Sequence, residues 1–152
     1  MADLLNNTNS NANNYGDDAI VTLSPREHIR LRPGMYVGVV GDGSQPDEAL
    51  YVLIKEVVDN SIDEFIMGAG RQIDITLADN VVTVRDYGRG IPLKSLAAAV
   101  GQMNTGGKYG GDAFKKTVGL NGVGVKAVNM LSEEFTARSV RDGEARTVTF
   151  AK

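Results

Sequence analysis

Glu56, Asn60 and Asp63 fall four and three residues apart in the segment Leu50 to Gly68. At about 100° per residue they share, with Asp59, roughly a third of a helix circumference. A carboxylate on such a face can orient or deprotonate a water. An amide carbonyl one turn further on can ligate a hard cation such as Mg²⁺, which takes few protein ligands beside water and phosphate oxygens. Hydrolysis of a phosphoanhydride needs both groups, one to activate the water and one to help offset phosphate charge. Glu56 is the candidate base and Asn60 the candidate metal ligand. A solvated acidic face on an amphipathic helix would show the same residues, so the helix alone leaves two readings open.

Two glycine-rich stretches extend the pattern. Asp86-Tyr87-Gly88-Arg89-Gly90-Ile91-Pro92 directly follows a predicted strand. An aspartate at a strand end can accept a hydrogen bond from the exocyclic amino group of adenine, and glycines let a flat base lie against backbone. Asp and Gly are equally the residues of an ordinary turn. Gly119-Leu120-Asn121-Gly122-Val123-Gly124 immediately precedes a predicted helix. Backbone N–H groups at a helix start, with no side-chain bulk over them, suit phosphate. Gly101 to Gly106 has the glycine spacing of a Walker A loop, but Gly107 rather than Lys follows Gly106, and Tyr109 rather than Ser or Thr follows Lys108. Gly122 to Ala127 matches a dinucleotide pattern, but no hydrophobic strand precedes it and too little chain follows for a Rossmann unit. Between the two stretches, Lys108, Lys115 and Lys116 form either a cationic closure over a triphosphate or a solvated basic loop.

The elements that must position these residues are legible from periodicity. Leu50, Leu53, Ile54, Val57, Ile62 and Phe65 make an apolar stripe opposite the acidic face, predicting a helix over about 47–67 that Gly68 and Gly70 end. Ser24-Pro25 predicts the start of a short helix that Pro33-Gly34 breaks. The alternation of Ile73, Ile75 and Leu77 with Val82 and Val84 about Asp79-Asn80 predicts a hairpin. Further helices are expected over 93–103 and 123–131. A second hairpin is expected to pair 134–141 with 145–150 around Asp142-Gly143. The order implies an α+β sandwich, with helices on one face of a mainly antiparallel sheet. Residues 1–18, rich in Asn, Asp and Ser, read as a flexible arm, and 19–152 as the folded domain.

Composition narrows the function classes. The 152 residues carry 42% hydrophobic and 23% charged side chains, ordinary values for a single globular domain. No apolar run approaches the roughly 18 residues of a membrane span, and no secretory leader pattern opens the chain. Without cysteine, disulfides and thiolate metal sites are excluded, which fits a cytoplasmic location. A net charge of −3 provides no broad basic field for DNA, so other domains or chains would hold most of any nucleic acid. His28, the only histidine, reads as a packing or surface residue.

Taken together, Glu56 to Glu64, Asp86-x-Gly-Arg-Gly-Ile-Pro92, Thr105-Gly-Gly-Lys108 and Gly119 to Gly124 resemble the ATPase site of the GHKL superfamily. Within it they resemble the ATPase subunits of bacterial type IIA topoisomerases, that is, gyrase B and its topoisomerase IV counterpart. Arg32-Pro-Gly-Met-Tyr-Val-Gly38 strengthens the resemblance, which runs from about Tyr15 to the end. It implies Glu56 as general base and Asn60 as Mg²⁺ ligand. It implies an ATP site formed by Asn60, Asp63, Asp86, Gly90, Ile91, Pro92, Lys108 and the loop Gly119, Leu120, Asn121, Gly122, Val123, Gly124 and Val125. Tyr15 would reach from the arm of one protomer into the other's site, making an ATP-dependent homodimer. Arg89, paired with Glu64, and Arg141 would stand at the pocket mouth, where aminocoumarin inhibitors bind. The resemblance further implies a DNA-cleaving partner (gyrase A or its topoisomerase IV counterpart) and DNA capture by the full assembly, without a membrane. Asn121 departs from the histidine common in gyrase-type loops. The strand bearing the adenine-pocket threonine and the domain bearing the γ-phosphate lysine are expected beyond Lys152, so this piece is expected to bind ATP and turn it over poorly. A chaperone-type or mismatch-repair relative, or a nucleotide switch without turnover, would share the three core motifs.

Overall fold

The computed structural model describes residues 20–106 and 122–152. Tyr15, the arm, Lys108, Gly119, Leu120 and Asn121 lie outside the described residues. The first helix, α1 (Pro25–Leu31), opens on a reciprocal capping box: Glu27 N–H donates to Ser24 Oγ at 3.3 Å and Ser24 N–H to Glu27 Oε2 at 2.8 Å. Those bonds hold the Glu27 carboxyl below its ordinary value. Pro33 ends this helix as expected, yet it also starts another. The short α2 (Gly34–Val37) begins directly after it, because proline's fixed φ suits a helix start as well as it blocks a helix interior.

The long helix α3 (Ala49–Ile66) is followed by Gly68 at φ +82°. Next come β1 (Ile73–Ala78) and β2 (Val81–Asp86), antiparallel, with Ile73 opposite Asp86 and Asp74 opposite Arg85. Asp79 and Asn80 both take positive φ, as a two-residue hairpin turn requires. The helix expected over 93–103 divides into a 3₁₀ turn, Leu93–Ser95, and α4 (Leu96–Gly101). After α5 (Gly124–Leu131), β3 (Glu134–Arg141) and β4 (Glu144–Ala151) pair through the Asp142-Gly143 turn.

The architecture is α+β, with helices against antiparallel strands. Among the described residues the strands form two separate two-stranded ladders rather than one sheet. The apolar core sits between the helices: Ile29 and Leu96 are fully buried, and Val37, Val100, Ala127 and Met130 nearly so.

The orientation of α3 departs from a simple amphipathic reading. It packs on α5 along one side and on β2 along another. Asp59 (8% exposed), Asp63 (3%) and Ser61 (5%) are its buried residues, whereas Leu50 and Phe65 of the apolar stripe are more than half exposed. Asp59 and Asp63 therefore do not belong to a solvated face, whereas Asn60 is exposed and Glu56 half-buried. Burying carboxylates is costly unless they are paired or hydrogen-bonded. Asp59 accepts from Lys55, and no buried side-chain polar atom among the described residues lacks a partner. Among the described residues, no helix is long and apolar enough to cross a membrane.

Candidate active site

Helix α3 carries the site along its length. Near the middle, the Glu56 carboxylate lies directly over Gly124, the first residue of α5; a Cβ there would overlap it. The two residues are brought together by α3–α5 packing, and any side chain at 124 would push the Glu56 carboxylate aside. At the start of α5 the Ala127 N–H donates to the Val123 carbonyl at 2.9 Å. Gly124 to Lys126 form the first turn of α5, a position whose main-chain amides favour anions. Gly122 holds φ +59° just before it. Gly124→Ala is expected to displace the Glu56 side chain and cut ATP turnover more than about tenfold while ATP affinity changes less. Steady-state phosphate release alongside a binding titration checks it.

One turn beyond Glu56, Asn60 Nδ2 donates to the Glu56 main-chain carbonyl at 2.6 Å, which leaves its Oδ1 as an acceptor on an exposed side chain. The next residue, Ser61, sends its hydroxyl to Asp86 Oδ2 at 3.5 Å. Asp86 Oδ1 accepts the Gly88 N–H at 2.9 Å, closing a tight turn at the end of β2. Glu64 completes the row. Its carboxylate takes Arg89 Nε and Nη2 at 3.0 and 2.9 Å and the Arg89 main-chain N–H at 3.0 Å. That carboxylate pushes the Arg89 guanidinium's pKa still higher, so Arg89 remains cationic at any working pH. Gly88 packs so closely on Glu64 that a side chain there would collide with it.

The Gly90-Ile91-Pro92 segment is fastened to β3. Ser139 Oγ donates to the Ile91 carbonyl at 2.7 Å, and Arg141 Nη1 donates to the Gly90 carbonyl at 3.3 Å. Gly90 has φ +74°, and a Cβ would run into the Val140 carbonyl and the Ser139 hydroxyl. Gly90→Ala is expected to destabilise the fold by about 1–3 kcal/mol through positive-φ strain plus the clash. A denaturant titration with an unchanged slope checks it.

The structure strings Glu56, Asn60 and Asp86 along α3 rather than around one closed cavity. A cleft of about 300 Å³ is lined by Ser61, Ile62, Phe65, Ile73, Asp86 and Tyr87, among others. A more open one of about 480 Å³ lies between Pro92, Leu93 and Lys94 and the β3–β4 turn, including Arg141. Neither is lined by Glu56 or Asn60. Asp63 is buried, and Val123 and Val125 are half-buried at the start of α5.

Sequence reasoning missed Ser61, Ser139 and Lys126. Ser139 lies two residues before Arg141 on the same strand, so strand alternation places both on one face. Lys126 is 4% exposed, and its Nζ donates to the Thr105 carbonyl at 2.7 Å. Its ammonium thereby tethers residue 105 to α5. The donor set fits a nucleotide with Mg²⁺. One carboxylate and one amide carbonyl suit a cation that keeps water and phosphate ligands, and a glycine start to α5 suits phosphates.

Residues 45–151 match the family of histidine kinase-, DNA gyrase B-, and HSP90-like ATPases. The chain belongs to that ATPase family. Among its curated relatives, the B subunit of DNA topoisomerase 4 from Borreliella burgdorferi is 56% identical over 139 residues, covering 91% of this chain and 23% of that protein. The B subunit of DNA gyrase from Mycolicibacterium smegmatis is 41% identical over 137 residues, covering 85% and 20%. The chain thus spans under a quarter of the length of these curated relatives. Its fold is similar to the crystal structure of the ATPase and transducer domains of DNA topoisomerase II from Balamuthia mandrillaris. The TM-score is 0.75 at 26% identity, over 90% of this chain and 42% of the other. The matched segment includes α3 and both glycine-rich stretches, and both bacterial relatives are topoisomerase B subunits.

Proposed function

We propose that this chain is the ATP-binding and hydrolysing part of a type IIA topoisomerase of the gyrase B or topoisomerase IV kind, with residues 19–152 forming the ATP-binding domain and residues 1–18 an arm. The observation that carries the reading is the row along α3: Glu56 over the glycine start of α5, Asn60 one turn on, then Asp86 held by Ser61 and Arg89 held by Glu64. Eight residues of helix separate Glu56 from Glu64, about 12 Å of rise, a span on the scale of a nucleoside triphosphate.

In this reading adenine lies at the Asp86 end against Gly90, Ile91 and Pro92, with Asp86 accepting from its amino group. The phosphates lie at the α5 end, against the first-turn amides, with Lys108 and Gly119 to Val125 around them. ATP brings Mg²⁺, which offsets phosphate charge when bound, and Asn60 Oδ1 is the protein oxygen offered to it. Glu56 orients the attacking water and takes its proton. ATP binding joins two protomers through the Tyr15 arm into a gate for a DNA segment, and hydrolysis reopens it. The cleavage chemistry belongs to a partner subunit, and the assembly works on DNA in the cytoplasm. Arg89 and Arg141 stand at the mouth of the pocket, where aminocoumarins would bind.

The test is to combine the complete ATPase subunit with its DNA-cleaving partner, ATP and Mg²⁺. Supercoiling, relaxation or decatenation that stops when ATP is withheld is the expected result. Magnesium-dependent phosphate release without any change in DNA topology would assign the ATPase to another role.

A further inference from the structure

We infer that Tyr87 is a positioning residue for adenine recognition, holding the turn that aims Asp86 from the face of the hairpin opposite α3. The inference rests on the proposed reading of Asp86 and adds a residue to it.

Strand alternation at the end of β2 sends Asp86 and Tyr87 to opposite faces. Asp86 turns toward α3, where Ser61 donates to it. Tyr87 turns to the other face, which it shares with Arg85, two residues earlier, and with Asp74, the cross-strand partner of Arg85. There the Tyr87 hydroxyl donates to Asp74 Oδ2 at 2.7 Å, and the Arg85 guanidinium sits 4.6 Å from the centre of the Tyr87 ring. Gln72 Nε2 donates to the other oxygen, Asp74 Oδ1, at 2.7 Å, so the acceptor is fixed from both sides. These bonds, Gln72's first and Tyr87's second, hold the Asp74 carboxyl below its ordinary range; the same Asp74 contact pushes the Tyr87 phenol up.

The Tyr87 backbone is also pinned. Gly70 approaches so closely that a Cβ there would sit 3.1 Å from the Tyr87 carbonyl carbon. Glu64 and Arg89 clamp the turn on the α3 side, and the Tyr87–Asp74 bond clamps it on the other. With both in place, the peptide planes that set the Asp86 carboxylate direction are restrained from two sides. Pre-organisation of this kind raises affinity only for ligands that use the positioned group.

The test compares binding of ATP with binding of purine riboside triphosphate, which lacks the amino group, to the parent, Tyr87→Phe, Asp74→Ala and Asp86→Asn. Circular dichroism checks each fold. The parent should prefer ATP, and Asp86→Asn should abolish the preference. Tyr87→Phe keeps the ring under Arg85 but loses one hydrogen bond. It should weaken ATP about three- to tenfold and leave the analogue unchanged, and Asp74→Ala should do the same. Equal weakening of both nucleotides, or an unchanged preference in both latch variants while Asp86→Asn abolishes it, overturns the positioning role. A preference that survives Asp86→Asn overturns the reading of Asp86 itself, and the inference with it.

Discussion

Glu56→Gln in the complete ATPase subunit should lower ATP turnover by about 10²- to 10⁴-fold, the usual contribution of a positioned general base, and leave ATP affinity within a few-fold of the parent. Glutamine keeps the length and polarity of the side chain over Gly124, so packing against α5 is preserved while the proton acceptor is lost. Glu56→Ala should show the same separation of binding from turnover. In the proposed site, binding is assigned to the adenine end of α3 and to the amides at the start of α5, neither of which needs a charge on Glu56. Phosphate release measured with an isothermal ATP titration distinguishes the outcomes. Loss of both in parallel would make Glu56 a structural residue of the α3–α5 contact.

Asp86→Asn has the second large effect, on affinity rather than rate. The Asp86 carboxylate already accepts from Gly88 N–H through Oδ1 and from the Ser61 hydroxyl through Oδ2, the oxygen that the proposed function assigns to the adenine amino group. Asparagine keeps a carbonyl for Gly88 and turns an N–H₂ group toward the adenine amino group, so donor faces donor. Loss of a hydrogen bond to a charged acceptor costs about 1.5–3 kcal/mol, which is about 10- to 150-fold in Kd. Competition by ATP against a fluorescent nucleotide measures it. Turnover at saturating ATP should fall far less than affinity, the reverse of the Glu56 variants. A full loss of turnover with unchanged affinity would move Asp86 out of the base-recognition role.

Much of the fold was legible because the local signals are strong. The Ser24-Pro25 start, the Asp79-Asn80 and Asp142-Gly143 turns and the glycines after α3 each carry a conformational requirement that few residues meet. The one-turn α2 was not expected, since proline read as a terminator also initiates. Less legible was which side of α3 is covered. Periodicity separates an apolar from a polar face, but α3 lies between α5 and the first hairpin, and its carboxylates Asp59 and Asp63 are buried while Phe65 is 60% exposed. A helix covered on two sides does not sort its faces by hydropathy alone.

By itself, the order of residue types determined the chemistry on offer: a base and an amide one turn apart, an aspartate at a strand end, and glycines before a helix. Those are properties of single segments, set by helical and strand periods and by the conformations glycine permits. Tertiary structure alone decided that Glu56 lies over Gly124, that Ser61 reaches Asp86, and that Ser139 and Arg141 hold the Ile91 and Gly90 carbonyls. Those partners stand 25 to 51 residues apart for the hydrogen bonds and further still for the glycine. Such contacts follow from how α3, α5 and the two hairpins pack, a collective result of burying surface that no single segment encodes.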